Sequence, residues 1–323
     1  MINKTDAARL RAWSDKQAHT HTIFLSKTRH PEQPGFEAFA SDLAQAAPCI
    51  QIEPSGRETR LPTFFTAENI GFSILPMEKE LSPFLETLSC RTGLMPPLAD
   101  DLAMPLEKMH HPCRLTLFIA PECPHCPHMV RTLVSMAVRA KQIVLEIIDG
   151  SLFPETAREH NVMSAPCLIV DQGARWTGQA DPEEILTLIS ERDLSQLSTD
   201  FFRKILEQGN ATWICRQMIR AGTVFENFLT LLLHPVWSVR LGALVVVETL
   251  GQEAPALAAH LCPQIIQAFD GADVSVQGDL LYALGEAGNP DTRSWIVTKM
   301  PGLAHPDLVD AAREALTAIE KRR

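Results

Sequence analysis

Apolar positions in the middle of the chain follow the order strand, turn, helix. An apolar run at 115–120 precedes a short segment, 121–127, that contains two cysteines, and apolar residues then recur at helical spacing through 130–137. This order predicts a strand, a turn and a helix. The other predicted elements here are strands at 143–148 and 168–170 and a helix from 181 to about 191. Strands that alternate with helices predict a small α/β domain.

A similar order of patterns precedes this domain. Its predicted elements are strands at 22–25, 50–52 and 63–65 and helices at 36–43 and 81–88. The two regions align when Phe24 is set on Phe118. Arg29 and Glu32 then stand opposite the two cysteines of the later region, so an internal duplication would have one half without thiols. The segment at 94–112 is interpreted as the connector.

Beyond about residue 195 the pattern becomes helical. The sequence at 237–244 recurs at 274–281, an offset of 37 residues, and a weaker copy follows at 305–313. Helical repeats with a period in the thirties to forties are typical of α-solenoids, in which stacked helix pairs share one core. These copies resemble HEAT repeats. Arg240 resembles the arginine with which HEAT motifs tie adjacent turns, and it is interpreted as structural.

The cysteines of the 121–127 segment, Cys123 and Cys126, are spaced for redox chemistry. A Cys-x-x-Cys pair at a strand-to-helix junction brings two sulfurs within disulfide reach and exposes the first at the helix N-terminus. Backbone N–H groups and the helix dipole there stabilise a thiolate, so Cys123 is the predicted nucleophile and Cys126 the resolving thiol. Protonated His125 would lower the pKa of Cys123 and the Glu122 carboxylate would raise it, so the net direction stays open.

The motif Cys123-Pro124-His125-Cys126 resembles the active site of thioredoxin-like disulfide oxidoreductases, and Val-Met-Ser-Ala-Pro at 162–166 resembles their cis-proline loop. The thiol-free first half and the sequences at 148–163 and 75–80 are similar to two narrower groups. One group is the N-terminal domain of the alkyl hydroperoxide reductase flavoprotein subunit. The other is the tandem glutaredoxin-like protein disulfide oxidoreductases of thermophiles.

The resemblance implies an α/β fold of two tandem thioredoxin-like units, followed by an all-α HEAT-like solenoid. The predicted domains are a unit without active-site cysteines at 1–108, a unit with the cysteine motif at 109–194 and helical repeats at 195–323.

The resemblance also implies roles for residues outside the motif. It places cis bonds at Ala165–Pro166 and Leu61–Pro62, and the amide and carbonyl of Ala165 would pair with a substrate strand. The dipeptide between the cysteines, Pro124-His125, is the one found in the strongly oxidising DsbA family. We therefore expect a potential less reducing than that of thioredoxin.

The implied activity is thiol–disulfide exchange with protein disulfide clients. Electrons would arrive from a thioredoxin-reductase-like flavoprotein and leave toward a peroxiredoxin or an oxidised client, and no bound cofactor would be needed. Two departures from the family pattern are visible in the sequence. Glu122 stands where the family usually has a small polar residue, and the family's Pro-x-Gly-His-Glu motif appears here as Pro76-Met-Glu-Lys-Glu80.

Two other functions are compatible with the same residues. Cys123 and Cys126 could form half of a zinc site completed by His128 or by the cluster His110, His111 and Cys113, although structural zinc sites normally have two matched ligand pairs. The helical repeats could instead form an interaction scaffold with the thiols as a redox switch. Cys167 is interpreted as a buried apolar residue or as an additional thiol near the pair.

Composition and charge limit the possible partners and the expected cellular location. The chain has 323 residues and a formal charge of −10, which argues against nucleic-acid phosphates as partners. Its longest stretch without a formal charge, 254–269, is 16 residues and contains two prolines, so no transmembrane helix is expected. Charged residues interrupt the first 16 positions, and eight scattered cysteines are not a secreted disulfide framework. We therefore expect a cytoplasmic protein.

Overall fold

The computed structural model describes residues 2–90, 100–107, 109, 112–171, 173–190 and 194–321. The chain separates into two compact units, Met1–Ser190 and Glu191–Arg323. Part of the predicted connector, including His110 and His111, lies outside the described residues. The proposed domain boundaries at 108/109 and 194/195 stay predictions.

The first unit is built on one eight-stranded sheet with the order β2-β1-β3-β4-β6-β5-β7-β8. The strands are β1 (His21–Lys27), β2 (Ile50–Glu58), β3 (Phe64–Ala67), β4 (Ile70–Ser73), β5 (Cys113–Ile119), β6 (Ile143–Asp149), β7 (Cys167–Val170) and β8 (Arg175–Thr177). β1 pairs parallel with β2 and antiparallel with β3, and β3 pairs antiparallel with β4. In the same way, β5 pairs parallel with β6 and antiparallel with β7, and β7 pairs antiparallel with β8. The parallel pair β4 and β6 joins the two sets into one sheet.

Seven helices of the described residues belong to this unit. They are α1 (Lys4–Ser14), α2 (Gln33–Ala46), α3 (Leu81–Cys90), α4 (Asp100–Glu107), α5 (Cys126–Arg139), α6 (Pro154–Glu159) and α7 (Pro182–Ser190). Alternation along β5 and β6 buries Leu115, Leu117, Leu145 and Ile147 completely. Helix α5 packs on β6 and on α3. The cysteine-bearing helix is therefore fixed to the middle of the sheet.

An aromatic cluster anchors the earlier half of the unit. Phe64 lies with its ring centroid 5.2 Å from that of Phe36 and 6.4 Å from that of Phe84, and Phe84 meets Phe72 at 5.2 Å. All four rings are fully buried. Aromatic pairs at these separations add to the free energy of burial, so α2, β3, β4 and α3 are held together at one point.

Two expectations for the thiol-free half need correction. The Leu61–Pro62 bond is trans, because the one cis bond of the described residues is Ala165–Pro166. Trans is the lower-energy isomer, and here the Leu61 carbonyl accepts hydrogen bonds from hydroxyls within its own neighbourhood. The helix starts also place Gln33, not Glu32, opposite Cys126, because α2 begins at Gln33 as α5 begins at Cys126.

The second unit is helical throughout its described residues. Its α-helices are α8 (Thr199–Glu207), α9 (Ala211–Ala221), α10 (Phe228–Leu232), α11 (Trp237–Glu253), α12 (Pro255–Ala258), α13 (Cys262–Ala268), α14 (Val274–Ala287), α15 (Pro290–Lys299) and α16 (Pro306–Lys321). Helix α14 packs against both α11 and α16. A Cβ at Gly285 would lie only 2.9 Å from the Cα of Ala315, so glycine permits the close approach of α14 and α16.

Arg240 ties α11 to α14, which confirms its structural interpretation. Arg240 is 5% exposed, and its guanidinium donates to the Asp279 carboxylate at 2.6 Å and to Ser275 Oγ at 3.2 Å. It also donates to the carbonyls of His234 and Pro235. A buried cation with these four partners is well satisfied. Among the helices that the structure describes, none is both long and apolar enough to cross a bilayer.

Candidate active site

The two cysteines of the motif lie where β5 gives way to α5. The strand ends at Ile119, and the helix begins at Cys126 with Pro127 in its first turn. Proline is favoured there because the first N–H groups of a helix have no intrahelical partner. Cys123 stands in the connecting turn, and its backbone N–H donates to the Ala120 carbonyl at 3.0 Å. The local sequence thus places both cysteines at the N-terminus of α5.

The Cys123 sulfur has two close polar neighbours. It accepts a hydrogen bond from the backbone N–H of Cys126 over an N–S distance of 3.2 Å. Its thiol donates to the Ala165 carbonyl over an S–O distance of 3.5 Å. Cys123 is 9% exposed and Cys126 is fully buried, and all eight cysteines are free. The sulfur of Cys123 is therefore the one that another molecule can reach.

The loop that carries Ala165 lies directly against the motif. Its Ala165–Pro166 bond is cis, as expected from the sequence. The backbone N–H of Gly178 donates to the Pro166 carbonyl at 2.8 Å, which links this loop to the segment that follows β8. Pro166 is buried and Ala165 is partly exposed, whereas Met163 is 94% exposed. The loop thus places a partly exposed residue, Ala165, beside the Cys123 sulfur.

The remaining predicted site residues surround the pair at the surface. Glu122, Pro124 and His125 are all exposed. Lys79 Nζ donates to the Glu122 carbonyl at 3.2 Å, and Nε2 of Gln179 lies 3.3 Å from His125 Nδ1. The sequence analysis did not single out Lys79 or Gln179, because these contacts join segments that are far apart in the chain.

Glu80 is a buried carboxylate beside the motif, and the sequence analysis quoted it only as the end of a divergent motif. It is 5% exposed, and neither carboxylate oxygen has a hydrogen-bond partner among the described residues. Burial raises the pKa of Glu80 from 4.5 to about 7, although the charges of Arg131 and Lys79 lower it, and the Asp149 carboxylate raises it further. A carboxyl that titrates near neutral pH can exchange protons during a reaction.

Glu80 and Cys126 influence each other. Burial raises the pKa of the Cys126 thiol, and the hydrogen bond from Cys123 and the charge of Glu80 raise it further, while the Ala120 backbone lowers it. A thiol with a raised pKa stays protonated and needs a base before it can attack a disulfide. Glu80 is the buried carboxyl whose charge acts on this thiol.

Arg131 is held away from Glu80 by a second carboxylate. Its Nε donates to Glu86 Oε2 at 2.6 Å and its Nη2 donates to Glu86 Oε1 at 3.0 Å. This fork joins α5 to α3 and uses two guanidinium donors. Arg131 therefore acts on Glu80 through its charge, with no hydrogen bond to the carboxylate.

The zinc hypothesis finds no assembled site in the part of the chain that the structure describes. No three His, Cys, Asp or Glu side chains there come together as metal ligands, so Cys123, Cys126 and His128 do not form such a group. Cys113 is buried in β5, and burial raises the pKa of its thiol to about 12. Cys167 is 1% exposed in β7, and burial raises the pKa of its thiol, which favours the buried apolar interpretation.

Comparisons with known proteins agree with this geometry. Residues 114–190 match the thioredoxin domain family model. AhpF of Pseudomonas aeruginosa, a subunit of alkyl hydroperoxide reductase, is 24% identical over 244 residues, which cover 71% of this chain and 47% of that protein. The chain thus spans about half the length of this relative.

Two solved structures show the fold. The N-terminal domain of alkylhydroperoxide reductase AhpF from Enterococcus faecalis superposes with a TM-score of 0.51 at 20% identity, covering 58% of this chain and all of that chain. A protein disulfide oxidoreductase from Aeropyrum pernix superposes with a TM-score of 0.53 at 16% identity, covering 61% of this chain and 96% of that chain. The chain therefore consists of a mixed α/β thioredoxin-like region and a helical C-terminal part.

Proposed function

We propose that the chain is a protein thiol–disulfide oxidoreductase in which Cys123 is the nucleophile and Cys126 the resolving thiol. The observation that carries the proposal is the position of the Cys123 sulfur, between the N–H of Cys126 and the Ala165 carbonyl. The first contact favours a thiolate. The second keeps the sulfur beside an exposed backbone edge, where an extended client segment can pair.

The reaction has two exchange steps. The Cys123 thiolate attacks one sulfur of a client disulfide, a Cys123–client bond forms, and the other client sulfur leaves as a thiolate that takes up a proton. Cys126 then gives its proton to the Glu80 carboxylate and attacks Cys123. The Cys123–Cys126 disulfide forms, the second client sulfur leaves, and the client has gained two electrons. Run in reverse, the same steps oxidise a dithiol.

The matched relatives support a class of partner. The Pseudomonas aeruginosa relative is by its name part of an alkyl hydroperoxide reductase, a peroxide-reducing enzyme. By this analogy, electrons reach Cys123 and Cys126 from a thioredoxin-reductase-like flavoprotein and pass to a peroxiredoxin or another protein disulfide client. The two sulfurs carry the two electrons themselves, so the exchange needs no bound cofactor.

The proposal includes two tandem thioredoxin-like units and HEAT-like repeats. The repeated pairing pattern of β1–β4 and β5–β8 supports the tandem units, the first of them without active-site cysteines. The 37-residue offset between α11 and α14, with Arg240 joining the two helices, supports HEAT-like stacking. In this account the helical part helps to select the partner.

Trapping of the mixed disulfide tests the redox proposal. Cys126→Ser removes the resolving thiol, so a client disulfide should remain bound to Cys123 and be detected by non-reducing electrophoresis and mass spectrometry. The control is Cys123→Ser/Cys126→Ser, which should trap nothing. Absence of any adduct with Cys126→Ser, when circular dichroism shows a folded protein, would contradict the proposal.

A further inference from the structure

The exposed apolar side chains of the described residues concentrate on two neighbouring helices of the second unit. Nine large hydrophobic side chains are exposed, and six of them fall between residues 236 and 282. The five that lie on α11 and α14 are Trp237, Leu241, Val245, Val274 and Tyr282. We call these five residues the apolar ridge. Isolated exposed apolar residues are ordinary, but a contiguous group of this kind marks an interaction surface.

The repeat places these residues in one row on each helix. Trp237, Leu241 and Val245 are four residues apart, so they share a face of α11 over about 12 Å. The 37-residue offset sets Trp237 on Val274 and Val245 on Tyr282. The two helices pack together, so the rows are neighbours.

A gap divides the row on α14. Gly278, between Val274 and Tyr282, corresponds to Leu241, and a Cβ at this glycine would meet nothing within 4 Å. The row on α14 therefore has open space at this position, between Val274 and Tyr282.

The sequence that contains the ridge is acidic, although Lys299 pairs with Asp270 and Arg240 pairs with Asp279. Between Arg220 and Arg293 the sequence has eight Asp and Glu residues but a single Lys or Arg, which is Arg240. That guanidinium is buried against Asp279 and offers no exposed positive charge. At the edge of the ridge, Tyr282 donates its hydroxyl to Glu248 at 3.3 Å. An occupant must therefore supply an apolar face together with positive charge.

We propose that the apolar ridge binds a basic amphipathic helix of another protein. Apolar residues at i, i+3 or i+4 and i+7 would lie along the ridge, and Lys or Arg at the flanks would face the acidic residues. Charge opposes the other occupants. A second copy of this chain carries the same acidic face and a formal charge of −10, and anionic lipid surfaces and nucleic acids are repelled in the same way. This proposal does not depend on the redox function.

Peptide binding to the full-length chain tests the proposal. The probe is a fluorescently labelled, 18-residue amphipathic peptide of Leu and Lys, measured by anisotropy. A peptide with the same Leu positions and Glu for Lys should bind at least about tenfold more weakly. Equal binding of the two peptides would overturn the charge argument.

A matched pair of variants locates the site. Val245→Ser alters the ridge and Val297→Ser makes the same change on α15, and these valines are similarly exposed, at 40% and 42%. Val245→Ser should weaken Lys–Leu peptide binding about fivefold and Val297→Ser should leave it unchanged. Equal effects of both variants would overturn the assignment. Sedimentation of the chain alone completes the test, because a dimer that Val245→Ser abolishes would identify a second copy as the occupant.

Discussion

The two halves of the eight-stranded sheet repeat one pairing pattern but differ at the start of an equivalent helix. Helices α2 and α5 have 14 residues each and carry proline in the first turn. Where α5 begins with the thiol of Cys126, α2 begins with the amide of Gln33, which donates to the Ser26 carbonyl and to Glu37. The first half thus fills this position with an amide that makes local hydrogen bonds, and the second half has a buried thiol there.

The loops beside these helix starts differ in the same sense. In the thiol-free half, the Leu61 carbonyl accepts hydrogen bonds from the hydroxyls of Ser26, Thr59 and Thr63, and Leu61 is 7% exposed. In the other half, the Ala165 carbonyl accepts from the Cys123 thiol and Ala165 is partly exposed. The fold alone therefore does not make the site. A partly exposed residue in the loop and a thiol at the start of the helix must coincide.

Moving the two thiols to the thiol-free half of the sheet should cause the largest loss of activity. In a Cys123→Ser/Cys126→Ser background, His30→Cys/Gln33→Cys recreates the motif at the start of α2. Because the Leu61 carbonyl is already occupied, we expect this variant to keep a loss of about 10³-fold or more in insulin disulfide reduction.

The unmodified Cys123→Ser/Cys126→Ser protein is the control for that transplant. Recovery of a tenth or more of the wild-type rate by the transplanted motif would show that the thiols alone carry the difference between the halves.

Glu80→Gln should slow the resolving step about 10- to 100-fold near neutral pH. Wild-type Glu80 must be ionised to take the Cys126 proton, so the rate at which Cys126 resolves a glutathione mixed disulfide should rise with pH through about 7. Quenched-flow mass spectrometry measures this rate. Glu146→Gln, in an exposed ion pair with Arg114, should behave as wild type. An unchanged pH profile in Glu80→Gln would remove the base from the mechanism.

Glu80 should also make the stability of the fold depend on pH. Its pKa is about 7 in the folded chain against 4.5 for an unperturbed carboxyl, so the folded state binds the proton more tightly. The stabilisation is complete below about pH 4.5 and is lost as the pH rises through 7. From pH 5 to pH 8, the free energy of urea unfolding of Glu80→Gln should therefore rise relative to that of wild type by about 2 to 3 kcal/mol. A constant difference would count against a buried ionisable Glu80.

Glu86→Gln should have the smallest effect. It releases one partner of the Arg131 fork, so the guanidinium can turn toward Glu80 and move the Glu80 titration to lower pH by less than about one pH unit. Arg131→Met should move it to higher pH. Carbon-13 NMR of the Glu80 carboxyl measures both shifts, with Glu159→Gln, which breaks the exposed Arg60 pair, as the control. If both variants move the Glu80 titration in the same direction, the idea that Glu86 holds Arg131 away from Glu80 is contradicted.

Periodicity predicted most of the sheet, because buried strands and their flanking turns leave a local signal. The strand predicted at 143–148 corresponds to β6 (Ile143–Asp149), and the strand predicted at 115–120 corresponds to β5 (Cys113–Ile119). The short strands β4 and β8 were not predicted, whereas β7, which is as short as β4, was predicted from its apolar run.

The site was only partly predictable for a different reason. Cys123 and Cys126 are three positions apart in the sequence, and this spacing alone suggested thiol–disulfide chemistry. Glu80 comes within electrostatic reach of Cys126 only because α3 packs on α5, and its burial depends on that packing.

An equilibrium redox titration in a glutathione or dithiothreitol buffer series tests the central claim most directly. Alkylation and peptide mapping would identify which of the eight cysteines change state at each potential. We predict a single two-electron transition confined to Cys123 and Cys126. Its midpoint would indicate the direction of electron flow, because a reductase should have a potential of about −270 mV and an oxidant a potential toward about −120 mV. If both thiols stay reduced throughout, or become reactive only after a chelator is added, the redox account is contradicted.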